Sequence, residues 1–176
     1  MQIRHTLILT GSATLGAAGA LAAPATAQTL DVTLTLPRLS VAEYHRPYVA
    51  IWIEKEGAPA RTLSILYDVD KRNNAGVKWL RDVRSWWRAS GRALSLPADG
   101  VSGATRAPGT HKLSFTAGKG GMPNLAPGKY TLVVEAAREV GGREVVRVPL
   151  TIGASGAKGS ATGSAELGAV NVVVSR

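Results

Sequence analysis

The sequence contains no cysteine and only three histidines among its 176 residues. The absence of cysteine excludes disulfide bonds, thiolate metal sites and a lipid-modified N-terminal cysteine. Beyond the N-terminal segment, His45 and His111 lie far apart, and no group of His, Asp and Glu has metal-ligand spacing. Nucleophile-elbow serines and phosphate-binding glycine loops are also missing. Hydrolase and metal chemistry are therefore poorly supported, and we expect His45 to be a structural residue at or near the surface.

Acidic residues are scarce as well. Asp and Glu total 12 against 21 Lys and Arg, which gives a formal net charge of +9. Such a balance is found in nucleic-acid-binding proteins. Behind an export signal, however, it favours an anionic surface, an anionic ligand or an acidic partner protein. We therefore expect no nucleic-acid partner.

A long apolar run occurs only near the N-terminus. Leu7 to Ala23 is apolar or small apart from Thr and Ser, and Ala25-Thr26-Ala27 is a small-x-small cleavage site. This pattern predicts a cleaved secretory signal peptide at residues 1–27, with an uncleaved anchor helix as the alternative. No later run is long enough to span a membrane. We expect one mature domain, residues 28–176, located in the bacterial periplasm without stable membrane insertion.

Short alternating segments rich in β-branched residues predict a mainly β protein. The predicted strands are residues 30–36, 47–55, 61–69, 111–117, the two halves of a hairpin at 127–152, and 169–176. Residues 155–168 are predicted to be flexible or a loop. Pro127-Gly128, followed by Tyr130 before a strand, resembles the tyrosine corner of immunoglobulin-like domains. The pattern predicts an antiparallel immunoglobulin-like two-sheet sandwich.

One segment, Val77 to Ser90, has helical periodicity and predicts a single inserted Trp-rich helix. Its apolar stripe contains Trp79, Leu80, Val83, Trp86 and Trp87. Arg81, Arg84 and Arg88 fall on another, exposed side, which is either solvated or a docking patch for an acidic redox partner.

The segment Ala98 to Gly109, "ADGVSGATRAPG", places an acid and a hydroxyl among small residues. Its core resembles the recognition motif for covalent flavinylation of exported bacterial proteins, found in flavin subunits of ion-pumping quinone reductases. The matching residues are Asp99, Gly100, Ser102, Gly103, Ala104 and Thr105. The resemblance implies that a periplasmic flavin transferase joins the FMN half of FAD, through its phosphate, to the hydroxyl of Thr105.

The residue types of this motif suit such a modification. A transferase must draw the acceptor hydroxyl into its own active site, which favours an exposed loop with little bulk. Asp99 is the only charged residue of the segment before Thr105, so it is suited to recognition by the transferase. Arg106 is suited to pair with the negative charge of the phosphodiester. The alternative is an inert turn, because Gly, Ala, Ser and Thr are abundant and "GSAT" also occurs at residues 11–14 and 159–162.

Four tryptophans against one phenylalanine make the aromatic residues unusual. We expect Trp52 to lie in the core. Trp79 and Trp86 are expected to anchor the helix onto the sandwich, with stacking on the isoalloxazine ring as the alternative for both. Trp87, at the edge of the stripe, is equally suited to anchoring and to stacking on the isoalloxazine ring.

A second resemblance covers most of the mature chain. The segments "RPYVAIWIE", "KWLRDVRSWW" and "DGVSGATRAPGTHKL" occur in this order in a domain-of-unknown-function family of predicted periplasmic proteins. The family is associated with periplasmic flavin transfer and membrane electron-transfer proteins. This implies an electron carrier with covalent FMN whose partners are a flavin transferase and a membrane-bound electron-transfer protein. An unmodified immunoglobulin-like binding module and a flavin-bearing reductase subunit remain as alternatives.

Overall fold

The computed structural model describes residues 27–176, so the predicted signal peptide, apart from its last residue, lies outside the described residues. The described chain is mainly β, with nine strands in two sheets. The strands are Thr29–Leu36 (β1), Tyr48–Glu54 (β2), Arg61–Tyr67 (β3), Ser102–Ala104 (β4), Gly109–Thr116 (β5), Gly128–Ala137 (β6), Arg143–Ile152 (β7), Ala157–Thr162 (β8) and Ala169–Ser175 (β9).

One sheet has the strand order β5-β1-β9-β8, and all its pairings are antiparallel. The other has the order β4-β3-β2-β6-β7 and includes the predicted hairpin of β6 and β7. At its edge, β4 runs parallel to β3, so the prediction of a purely antiparallel protein is wrong there. The chain between β3 and β4 crosses the sheet face in helical segments, and such a crossover returns the next strand in the parallel direction.

The two sheets share one hydrophobic core, and the five-stranded sheet is also buried on its other face. Strand β2 shows this clearly, because its residues alternate between two buried environments. Val49 and Ile51 face the core between the sheets, whereas Ala50 and Trp52 belong to a second apolar cluster. A strand that is apolar on both faces has this continuous hydrophobic pattern. The prediction that Trp52 is a core residue is confirmed, since it is fully buried.

Helical segments cover the outer face of the five-stranded sheet. They are the 3₁₀ segment Arg72–Asp82, the helix Arg84–Ala89 (α1) and the 3₁₀ turn Gly91–Ala93. The fully buried Glu135 of β6 holds α1 in place by accepting hydrogen bonds from the N–H groups of Ser85 and Trp86, at 3.1 and 2.8 Å. These are N–H groups that the first turn of a helix cannot satisfy internally.

The prediction of one helix over residues 77–90 is wrong, because the chain breaks at Val83 (φ −80°, ψ 69°). Leu80, Val83 and Trp86 are fully buried and form a line of every third residue that runs from the 3₁₀ segment through the break into α1. Trp86 is therefore buried as predicted. Trp79 falls off this line and is 51% exposed, which contradicts its prediction as an anchor.

The arginines on the same segments follow the prediction. Arg81, Arg84 and Arg88 are all exposed. These arginines lie off the buried line, whereas Val77 and Trp87, also off it, are partly buried against the second apolar cluster.

The small residues of 155–168 form part of a strand, so the loop prediction for that segment is wrong over β8. A Cβ atom built on Gly159 would lie 2.8 Å from side-chain atoms of Leu150 and Val148 in β7. That distance is too short for a real contact, so a small residue is required where β8 lies over β7. The small residues on one face of β8, which are Ala157, Gly159 and Ala161, therefore serve packing, while Ser160 on the other face is exposed.

The predicted tyrosine-corner contact is confirmed at the start of β6. The hydroxyl of Tyr130 donates a hydrogen bond to the carbonyl oxygen of Ala126, at 3.0 Å, and the tyrosine is buried. This bond fixes the turn through which the chain enters the central hairpin.

Candidate functional site

The flavinylation-like motif lies at the edge of the five-stranded sheet. A turn over residues 99–101 precedes β4, and Thr105 follows the strand directly. The backbone N–H of Ile65 donates to the carbonyl of Val101 at 2.9 Å, and that of Thr105 donates to the carbonyl of Tyr67 at 3.2 Å. The motif is thus attached to β3 from its turn to its acceptor residue.

This arrangement corrects the expectation of a bare loop over residues 98–109. The first half is an ordered turn and strand, because the free edge of β3 offers backbone groups that must be paired. Ser102 closes the turn by accepting a hydrogen bond from the N–H of Ala98 at 3.0 Å. Asp99 and Arg106 are exposed, and Thr105 is partly exposed.

The glycines of the motif have definite structural roles. Gly100 has a φ of +68°, which favours glycine, and a Cβ built there would lie 2.8 Å from the Cα of Gly120. A Cβ on Gly103 would approach a side-chain carbon of Leu66 to 2.9 Å. Gly100 is therefore required by backbone geometry, whereas the contact at Gly103 involves a side chain that can move.

Thr105 lies on the wall of a cavity of about 680 Å³, which we name the Thr105 cavity. Its lining comes from chain segments that are distant in sequence. Tyr44 lies between β1 and β2, Trp79 lies in the first 3₁₀ segment, Arg84 begins α1, and Arg138 follows β6. The cavity is therefore built where the helical layer meets the end of the sheet.

Arg138 is the most buried charged group of this cavity. Its side chain is only 6% exposed and forms a two-point ion pair with the equally buried Glu166, with both N···O distances 3.1 Å. Its remaining nitrogen, Nη1, is buried and has no hydrogen-bond partner among residues 27–176. A guanidinium remains charged in proteins, and burying one of its N–H groups without an acceptor is unfavourable.

Two tyrosines extend the aromatic part of the cavity. The guanidinium of Arg138 lies 5.9 Å from the centre of the Tyr44 ring, which is a cation–π distance. Burial raises the pKa of the Tyr44 phenol, although the charge of Arg138 opposes this. Burial, followed by the nearby carboxylate of Asp68, also raises the pKa of Tyr48. Both phenols are therefore neutral hydrogen-bonding groups at neutral pH.

The exposed part of the cavity contains several ion pairs. His45 is partly buried, as expected, and lies 2.9 Å from Glu43 and 3.7 Å from Glu139. Lys71 pairs with Asp68 at 2.8 Å. Within the described part of the chain, the lining residue Arg84 makes no ion pair, so it can approach a ligand without losing a carboxylate partner.

Of the candidate site residues, only Thr105 lines this cavity; the others, which do not, are Asp99, Gly100, Ser102, Gly103, Ala104, Arg106 and Trp87. Trp87 lines a separate cavity with Val77 and Leu96, and its ring packs edge-on against Trp86 at 6.1 Å. Arg106 follows Thr105 along the chain but does not line the Thr105 cavity. The structure therefore gathers Thr105 with Trp79, not with Trp87.

The sequence patterns missed two prominent cavity residues, Tyr44 and Arg138, which lie outside any motif. The helical pattern named Trp79 as a candidate but favoured an anchoring role for it. The only available signal was the excess of aromatic and basic residues, which does not say which of them meet. Across residues 27–176, no group of three or more His, Cys, Asp and Glu residues is arranged to hold a metal ion.

Comparison with known proteins gives one match. The family model described as "Predicted periplasmic protein (DUF2271)" matches residues 29–169. No curated protein and no solved structure matches. None of the helices over residues 27–176 is both long enough and apolar enough to cross a membrane.

Proposed function

We propose that this chain, which belongs to the DUF2271 family of predicted periplasmic proteins, is an electron-transfer protein carrying FMN attached through a phosphoester to Thr105. One observation carries the proposal. The residue at the acceptor position of the flavinylation-like motif lies on the wall of a cavity of about 680 Å³. Ligand pockets in proteins span roughly 300–1,000 Å³, so the cavity is large enough for an aromatic cofactor.

The attachment is a phosphoryl-group transfer from FAD. The Thr105 hydroxyl oxygen forms a bond to the phosphorus that carries riboflavin, the pyrophosphate P–O bond breaks, and AMP leaves. A base of the flavin transferase takes the hydroxyl proton, since an isolated hydroxyl is a weak nucleophile. The product is a phosphodiester with one negative charge. Arg106, the next residue and an exposed one, is suited to pair with it.

The residues of the Thr105 cavity fit such a group. Arg138 offers a buried donor that has no acceptor among the described residues, and Trp79 offers an exposed aromatic face. Bound FMN supplies the reversible uptake and release of electrons, while the protein positions the flavin and sets its surroundings. We infer that the chain exchanges electrons between a membrane-bound electron-transfer protein and an acceptor, without a small substrate of its own.

We further propose export to the periplasm through a cleaved signal peptide at residues 1–27, and an immunoglobulin-like class for the sandwich. The family description supports the location. The hydrogen bond from Tyr130 to Ala126 and the core shared by two sheets support the fold class. The proposed partners are a periplasmic flavin transferase and a membrane-bound redox protein.

The attachment is tested by producing the exported protein together with a flavin transferase and measuring its intact mass. We expect an added mass equal to FMN less one water, and yellow fluorescence that survives on a denaturing gel. Thr105→Ala should lose both. Thr162→Ala is the matched control and should keep both. Thr162 is the last residue of the "GSAT" in β8, but no Asp-Gly pair precedes it at the spacing found before Thr105.

The same preparation separates the alternatives. A Thr105→Ala protein that keeps the added mass would contradict the attachment site. A parent protein without added flavin, in the presence of an active transferase, would contradict the function and favour an unmodified binding module. Turnover of a small acceptor by the flavin-loaded protein alone would favour a reductase subunit.

A further inference from the structure

Trp79 and Tyr44 give the Thr105 cavity an aromatic wall. Trp79 is 51% exposed, and it is one of only four large hydrophobic side chains that are exposed within residues 27–176. The three-residue repeat of buried positions turns it away from the sheet and towards the cavity. An exposed indole beside a cavity has an unsatisfied apolar face, which a flat ring can cover.

Arg138 gives the same cavity a directional polar group. Glu166 occupies its Nε and Nη2, and the ion pair holds the guanidinium plane in one orientation. The buried Nη1 has no partner in the described part of the chain. Since buried donors in proteins are almost always paired, this nitrogen indicates an acceptor that residues 27–176 do not provide.

The two features together select a class of ligand. A flat aromatic face alone suits many apolar rings, and a guanidinium alone suits any anion. A ring that stacks on indole and also carries carbonyl oxygens on its edge is a heteroaromatic such as the pyrimidine end of a flavin. Thr105, the proposed attachment point, lines the same cavity as both features.

We propose that the isoalloxazine ring of the flavin on Thr105 occupies this cavity, stacked on Trp79, with a carbonyl oxygen accepting a hydrogen bond from Nη1 of Arg138. This rests on the proposed attachment and adds the binding site of the ring. Trp79 provides the stacking surface and quenches flavin fluorescence. Arg138 donates to the ring edge, where negative charge accumulates on reduction, and so raises the reduction potential.

The test uses full-length protein loaded by a flavin transferase. Trp79→Ala should keep the added FMN mass but increase flavin fluorescence several-fold, and Trp79→Tyr should restore most of the quenching. The matched control is Trp87→Ala, which removes a tryptophan of the other cavity and should leave fluorescence unchanged. Arg138→Lys keeps a positive charge opposite Glu166 but removes the Nη1 donor. This variant should lower the reduction potential of the flavin. A cooperative thermal transition will show that its fold is retained.

The outcomes distinguish this proposal from the attachment. The proposed ring site is contradicted if the loaded Trp79→Ala variant fluoresces like the loaded parent, or if Trp87→Ala changes the fluorescence more. Either result leaves Thr105 as the acceptor. If no FMN is attached, the proposed function fails on the mass alone. The same variants are then titrated with lumiflavin, which has the ring without the ribityl phosphate. Binding that does not depend on Trp79, or no binding, would overturn the cavity assignment.

Discussion

At the scale of single residues, several of the scarce carboxylates serve as anchors for backbone segments. Glu135 accepts the first N–H groups of α1, and Glu166 accepts the N–H of Gly142 as well as two nitrogens of Arg138. Glu144 binds the turn before β9 through N–H groups of residues 164, 165 and 167, at 2.6 to 3.0 Å. These three glutamates, among the few acidic residues of the protein, therefore have structural roles.

Glu144 makes stability depend on pH in a defined direction. Burial alone would raise its pKa, but the hydrogen bonds from the turn outweigh burial and lower it below the usual 4.5. The ionised carboxylate therefore stabilises the folded state above pH 4.5, and this contribution disappears as the pH falls through the lowered value. We expect the difference in the free energy of unfolding between the parent and Glu144→Gln to be largest at neutral pH. This difference should shrink as the pH falls below 4.5.

Urea unfolding at a series of pH values measures this difference. Glu56→Gln is the control, because Glu56 is exposed and makes no ion pair or side-chain hydrogen bond within residues 27–176. A parent–variant difference at Glu144 that stays constant, or grows, as the solution is acidified would refute the anchoring role.

At the scale of elements, β4 is the shortest described strand, lies at a sheet edge and contains the core of the flavinylation-like motif. The folded protein uses the backbone N–H of Thr105 in a hydrogen bond to the carbonyl of Tyr67. For the flavin transfer that we propose, we expect β4 to detach before the transferase takes the motif into its active site. A strand with one partner and small side chains has few interactions to lose.

Gly120→Ala tests this detachment without changing the motif. Gly120 has a φ of +54°, and a Cβ there would lie 2.7 Å from the carbonyl oxygen of Gly100, which would push the turn before β4 outward. We expect flavin transfer to the folded protein to be several-fold faster, measured as mass gained over time. Stability should fall by about 1–3 kcal/mol from strain and overpacking.

Gly118→Ala is the control for the backbone conformation alone. Gly118 also has a positive φ of +79°, but a Cβ there would meet no atom within 4 Å. The Gly118→Ala variant should lose stability through backbone strain, but flavin transfer to it should be no faster than transfer to the parent. Equal or slower transfer in Gly120→Ala would show that the transferase accepts the motif in its paired state.

At the scale of the whole molecule, three layers explain where the cavity forms. The four-stranded sheet packs on one face of the five-stranded sheet, and the helical segments pack on the other. The centre of the middle sheet, at β2, is therefore buried on both faces, while β4 at one edge is partly exposed and β7 at the other exposes alternate residues. A buried centre with a partly exposed edge suits the proposed modification site, which would need access for a transferase.

Amide hydrogen exchange should show this gradient directly. We expect the amides of β2, which is paired on both sides and buried on both faces, to exchange at the rate of global unfolding. The amides of Gly103 and Thr105 should exchange orders of magnitude faster through local opening. Protection at β4 equal to that at β2 would be inconsistent with an edge that detaches.

Sequence patterns were sufficient for most strands, because alternation of apolar residues reflects local burial. β1, β2, β3, β6, β7 and β9 lie where alternation or richness in β-branched and aromatic residues predicts them. The bond from Tyr130 to Ala126 fits a separate signal, the resemblance to a tyrosine corner. The same reasoning failed for β8, where small residues serve packing against β7, and for β4, whose pairing depends on β3 some forty residues earlier.

The sequence by itself determined the strand-rich class, the motif around Thr105 and the burial of Trp52 and Trp86. Only the tertiary structure decided that Trp79 is exposed, that Arg138 keeps a buried donor without a partner among residues 27–176, and that both share a cavity with Thr105. The physical reason is that periodicity records which side of a segment avoids water. Which groups face one another across a cavity depends on how distant segments pack, and no local pattern contains that information.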